Sequence, residues 1–124
     1  MMRKRAVCLN CIDGRIQLPA ISWIKENYEI EFVDMITEPG MNGILADKGV
    51  SIEDICGKIK LSIERNNAAM IFVVGHHDCK GNPVTEPLHK EQIFLGVERL
   101  KKEFPGLPVI GLWINRDWQG QQIT

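Results

Sequence analysis

The chain has 124 residues, 44% of them apolar and 25% charged, with a formal net charge of −1. That is ordinary globular composition in the length of a single domain, 1–124, so neither disorder nor a second core is expected. Lys and Arg are dispersed apart from Arg3-Lys4-Arg5, which leaves no basic face for nucleic acid and no polybasic patch for a membrane.

Apolar β-branched runs alternate with segments of helical period. Residues 6–10 read as a first strand, and this stretch is too short for a signal peptide or a membrane span, so a cytoplasmic protein is expected. Residues 16–27 form a first helix, with Pro19 tolerated in its first turn. Residues 29–37 form a second strand, and the Pro and two Gly of 38–43 punctuate a loop. Ser51 opens a second helix in which Ile52, Ile55, Ile59 and Ile63 make one face, ending near Asn66-Asn67. Residues 68–75 are nearly all apolar, as a strand buried on both faces would be. A third helix spans about 86–104, with Ile93, Val97, Leu100 and Phe104 on one stripe. Pro105-Gly106 stops it before a fourth strand at 108–115.

The order β-α-β-α-β-α-β implies right-handed crossovers onto one mostly parallel sheet. The expected fold is a three-layer α/β domain with four strands in the order 2-1-3-4 and helices on its faces. In that order the connections diverge between strands 1 and 3, and a crevice opens at their carboxyl ends.

Two polar clusters fall at those ends. Cys11-Ile12-Asp13-Gly14-Arg15 follows strand 1, and His76-His77-Asp78-Cys79 follows strand 3. Cys11, His76 and Cys79 supply two thiolates and one imidazole, the three-ligand set with which a catalytic zinc site keeps a fourth position open. Four cysteines at 8, 11, 56 and 79 do not look like a disulfide framework. Cys8 and Cys11 form a Cys-x-x-Cys, but residues three apart on a strand face opposite sides about 10 Å apart, so they are not expected to pair. Cys8 and Cys56 read as packing residues, His77 as a solvated loop residue and His89 as surface. Asp34 and Met41 are candidates for the crevice, Trp113 for the core and Trp118 for a subunit interface. No Gly-x-Gly-x-x-Gly occurs, which speaks against a dinucleotide site.

Cys-x-Asp-x-Arg after the first strand, joined by His-x-x-Cys after a later one, resembles the β-class carbonic anhydrases, as a short, divergent branch. The resemblance implies one Zn2+ per chain on Cys11, His76 and Cys79, and reversible hydration of CO2 to bicarbonate by a zinc-bound hydroxide. It implies that Asp13 accepts a hydrogen bond from that hydroxide, or occupies the fourth position in a closed form, and that Arg15 pairs with Asp13 and holds it off the metal. It further implies a homodimer or higher homo-oligomer, with no nucleic-acid or membrane partner. His77, Asp78 and His89 are candidate proton shuttles. The chain departs from the family in its short length, in Lys80-Gly81 where glycines usually follow the second metal Cys, and in the loop 38–42. Two other readings stay open: a non-catalytic zinc module with Asp13 on the metal, and a zinc hydrolase of CS2 or COS.

Overall fold

A computed structural model describes residues 4–124, so Arg3 of the small basic cluster lies outside the described residues. Five strands form one sheet: β1 (Arg5–Asn10), β2 (Phe32–Thr37), β3 (Ala68–His76), β4 (Val109–Ile114) and β5 (Gly120–Gln122). Their order is β2-β1-β3-β4-β5. The first four are parallel, in the expected 2-1-3-4 order, and β5 runs antiparallel to β4. The helices are α1 (Gln17–Tyr28), α2 (Met41–Ala46), α3 (Glu53–Asn66) and α4 (Glu86–Glu103), with a 3₁₀ turn at Gly14–Ile16 before α1.

Alternation along the strands divides the core in two. Val7 and Leu9 of β1 pack with the buried residues of α2, α3 and α4 on one face. Ala6 and Cys8 pack with Ala20 and Ile24 of α1 on the other. Both faces of β3 are covered, and Ile71, Phe72, Val73 and Val74 are all fully buried, as the apolar run predicts. At about 1.5–3 kcal/mol for each large apolar side chain removed from water, this sheet core dominates the favourable side of folding.

Four elements differ from the sequence reading. First, β5 adds a fifth strand. Its residues carry no apolar pattern and hold their place through the backbone ladder to β4 and a Tyr28 hydroxyl donating to Gln122 Oε1 at 2.6 Å. Second, the loop expected over 38–43 gives way at Met41 to α2. Gly40 adopts φ +63 just before it and packs so close to Gly81 that a Cβ would lie 2.3 Å from the Gly81 carbonyl oxygen. Gly40 therefore starts the helix, which buries Met41, Asn42 and Leu45. Third, β2 begins at Phe32 rather than 29, because α1 runs on to Tyr28 and closes on a left-handed Glu29. The start of α3 is also shifted: Ile52 holds the cap position, and the Ser51 hydroxyl accepts from Glu53 N at 3.3 Å.

The sheet order decides where a site can form. β1 and β3 lie side by side, and the chain leaves β1 toward β2 but leaves β3 toward β4. The segments after Asn10 and after His76 thus meet over the carboxyl ends of adjacent parallel strands, where such sheets form a crevice.

Candidate metal centre

Cys11, His76 and Cys79 meet in that crevice. Their ligand atoms all lie within 4.8 Å of one another, and the two sulfurs are 3.8 Å apart. All three residues are buried. His76 Nδ1 lies 2.7 Å from the His77 carbonyl oxygen, which can only accept, so Nδ1 carries the ring proton. The lone pair is then on Nε2, which is buried and has no hydrogen-bond partner among the described residues. Burial also lowers the His76 pKa and keeps the ring neutral, the form that binds metal. For Cys79, burial and the neighbouring Cys11 push the thiol pKa up, while backbone N–H groups of Asn82 and Gly81 donate to it and oppose the shift. Two buried sulfurs this close resist becoming thiolates together unless a cation joins them. An orphaned imidazole nitrogen beside two crowded thiols is a donor set that fits zinc.

The Cys11 loop is fixed from its own neighbourhood. The fully buried Asn10 accepts from Cys11 N through Oδ1 at 3.0 Å, and Gln17 Nε2 donates to the carbonyls of Cys11 at 2.8 Å and Asp13 at 2.9 Å. Asp13 caps the 3₁₀ turn, its Oδ1 accepting from Arg15 N at 2.9 Å. The same carboxylate is gripped by the Arg15 side chain. Nε sits 3.1 Å from each oxygen and Nη2 is 2.6 Å from Oδ2. Those hydrogen bonds come first among the causes that pull the Asp13 pKa down to about 2, so at neutral pH the carboxylate is ionised and accepts only. Arg15 also reaches the second cluster, donating from Nη1 to Asp78 Oδ2 at 3.2 Å and from Nη2 to the Asp78 carbonyl at 3.0 Å. One guanidinium thus ties together the two loops that bear the candidate ligands.

Two recesses flank this arrangement. A cleft of about 240 Å³ is lined by His76, Cys79, Lys80, Glu86, His89 and Trp113. A second, more apolar hollow of about 200 Å³ is lined by Cys11, Ile12, Asp13, Pro39, Lys80 and Gly81.

A family model described as "Putative carbonic anhydrase" matches residues 1–124. The chain belongs to that family. Its members are classed as enzymes, and the resemblance carried by the two motifs is borne out. Among solved structures, the chain is similar to the β-carbonic anhydrase CafA of Aspergillus fumigatus, with 13% identity and a TM-score of 0.66 over 98% of this chain and 76% of that one. It is also similar to one of two tetrameric β-carbonic anhydrases from Sordaria macrospora, with 14% identity and a TM-score of 0.67 over 98% of this chain and 82% of that one. At such identities the likeness is one of fold, and it confirms the α/β architecture with a mostly parallel sheet. No curated protein matches the chain.

Within the carbonic anhydrase fold several side chains take places other than those expected. His89 is not on the surface but buried, with 3% of its area exposed. Asn42 Nδ2 donates to the Val74 carbonyl at 3.0 Å and lies 2.9 Å from His89 Nε2. A carbonyl cannot donate, so the amide nitrogen is fixed on that side and His89 Nε2 accepts, leaving the proton on Nδ1. Gly75 makes the pairing possible: a Cβ there would lie 2.8 Å from Asn42 Nδ2 and 2.9 Å from His89 Nε2. His89 stood within reach of sequence reasoning, since it lies four residues before Ile93 on the buried stripe of α4. Asp34 faces α3, accepting from Ser62, Asn66 and Arg5, and takes no part in the crevice. Met41 is core. Trp113 is core as expected, and Trp118 lies with its ring centroid 5.0 Å from the Arg15 guanidinium carbon. All four cysteines are free thiols, Cys8 fully buried with its pKa raised by that burial. Asn10 and Gln17, which hold the Cys11 loop, carry no motif that announces them, and Asp78, a candidate proton shuttle by its place in the second cluster, is bound to Arg15.

His89 makes stability sensitive to acid. Burial, then the nearby His76, pull its pKa down to about 4 from an ordinary 6.5. Between those values the unfolded chain binds the proton and the folded chain does not. Stability is therefore full above pH 6.5 and falls as the pH drops toward 4, by about 2 kcal/mol between pH 7 and 5 from this one group. In urea titrations His89→Gln, whose amide oxygen can still accept from Asn42, should show an acid loss smaller by about that amount. An identical loss in both proteins would contradict the buried neutral assignment.

Proposed function

We propose that Cys11, His76 and Cys79 hold one zinc ion and that the chain interconverts CO2 and bicarbonate. The observation that carries this reading is the partnerless Nε2 of His76 within 4.8 Å of two thiols, beside a carboxylate already held by an arginine. Zinc bound by such a set supplies Lewis acidity that makes water a nucleophile near neutral pH. The chain's own residues supply the rest. Asp13, ionised and accept-only, orients an O–H donor placed next to it. Arg15 keeps that carboxylate off the metal ligands with a planar fork that binds both oxygens. Ile12 and Pro39 offer an apolar wall suited to CO2. His89 is a poor exporter of the released proton, because Asn42 occupies its Nε2 and burial opposes its charge. His77 and Asp78, which line the cleft, are the better placed groups.

The Asp13–Arg15 pairing favours catalysis over the non-catalytic zinc module, in which Asp13 would sit on the metal and leave Arg15 unpaired. CS2 and COS share the chemistry of CO2, so zinc-loaded protein should be assayed on all three side by side. CO2 preferred over both supports the reading, and hydrolysis of CS2 or COS without CO2 hydration rejects it. Free thiols throughout are consistent with the reducing cytoplasm. We also propose a homo-oligomer, supported by the tetrameric Sordaria enzymes and by Ile12 of the Cys11 loop and Leu18 of the first turn of α1, 62% and 71% exposed. Light scattering should give a multiple of 14.1 kDa, and the mass of one chain would contradict it.

A further inference from the structure

Among the described residues, four non-glycine residues have positive φ: Glu29, Asn67, Asp78 and Trp118. Glu29 and Asn67 are the left-handed caps that end α1 and α3. Asp78 at φ 55 and Trp118 at φ 59 end no helix, and both touch Arg15. A left-handed backbone under a bulky aromatic is unfavourable and persists only where its surroundings hold it. Here Asn115 holds it. Its Oδ1 accepts from the backbone of Asp117 at 2.9 Å and Gln119 at 3.0 Å, and its carbonyl accepts from Trp118 N at 2.9 Å. The turn that joins β4 to β5 thereby delivers the Trp118 ring onto Arg15, with His77 edge-on to it at 6.5 Å between centroids.

We propose that Trp118 is a positioning residue for Arg15: its ring covers the guanidinium and keeps Arg15 on Asp13, so that the carboxylate stays off the metal ligands. A guanidinium donates in its plane and stacks on its face, so the two carboxylates and the indole do not compete for it. The clamp matters because the pair is exposed, 43% at the Arg15 side chain and 21% at Asp13. Exposed pairs gain little by themselves, since two side chains must be held in one geometry, and a cation–π contact adds stabilisation of similar size. The catalytic consequence rests on the carbonic anhydrase reading above; the clamp itself does not.

The test compares Trp118→Leu, which keeps apolar bulk, with Trp118→Phe, which keeps an aromatic face. Trp118→Gly, suited to the left-handed backbone, serves if the Leu variant does not fold. On zinc-loaded protein, NMR reads the solvent-exchange rate of the Arg15 Nε–H, which Asp13 protects. Leu or Gly should raise that rate about two- to fivefold, with CO2 hydration falling in step, and Phe should restore both. Unchanged exchange in the Leu and Gly variants, or exchange in Phe as fast as in Leu, overturns the clamp. The expected exchange pattern in a protein that never hydrates CO2 upholds the clamp and rejects the carbonic anhydrase reading.

Discussion

Asp13→Asn should keep zinc bound and cut CO2 hydration by about a hundredfold or more, the scale on which removal of a positioned proton-handling group is felt. The substitution is sharp because so much survives it. An Asn oxygen can still cap Arg15 N and accept from the guanidinium, so the local turn should stay folded. What changes is that the side chain now also presents an N–H2 donor where the ionised carboxylate offered only acceptors. Stopped-flow hydration measured with metal content on the same samples checks this. An undiminished rate at full zinc occupancy would remove Asp13 from the mechanism.

The second large effect concerns the metal itself. Zinc should raise the melting temperature of the wild-type chain, since a ligand bound only by the folded state at 1,000 times its Kd adds about 4 kcal/mol. For a domain of this size that is a shift of roughly 10–15 °C. Cys11→Ser and Cys79→Ser should each lose both the shift and the metal, because a serine hydroxyl is a poor replacement for a thiolate on zinc. The Cys79 thiol donates to the Cys11 sulfur at 3.8 Å, a weak contact that a serine hydroxyl can also make, so without zinc either variant should fold about as well as the parent. Elemental analysis after dialysis reads occupancy, and full zinc in both variants would defeat the ligand assignment.

The parallel core and the placing of the two clusters were legible because apolar runs and strand order leave few arrangements for a βα repeat. Cys11 and His76 could be brought together without any contact information, simply as the ends of neighbouring strands. The features that escaped are those fixed by tertiary contact. β5 has a polar sequence, Gly120-Gln121-Gln122, and is a strand only because β4 offers it an edge. α2 hides behind Pro39 and Gly40, which signal a turn, although that glycine starts the helix by packing on Gly81. His89 reads as polar surface until Asn42 and the missing side chain of Gly75 supply a partner and a space for it. Trp118 lies in a polar tail, and only the Asn115 turn reveals that its ring belongs over Arg15.

CO2 hydration by zinc-loaded wild-type protein, followed by stopped flow from about pH 6.5 to 9, addresses the central proposal directly. The expected result is a rate well above buffer that rises with pH, since zinc lowers the pKa of its water to about 7. No rate at any pH, with zinc shown to be bound at Cys11, His76 and Cys79, would mean that the site binds its metal for some purpose other than this reaction.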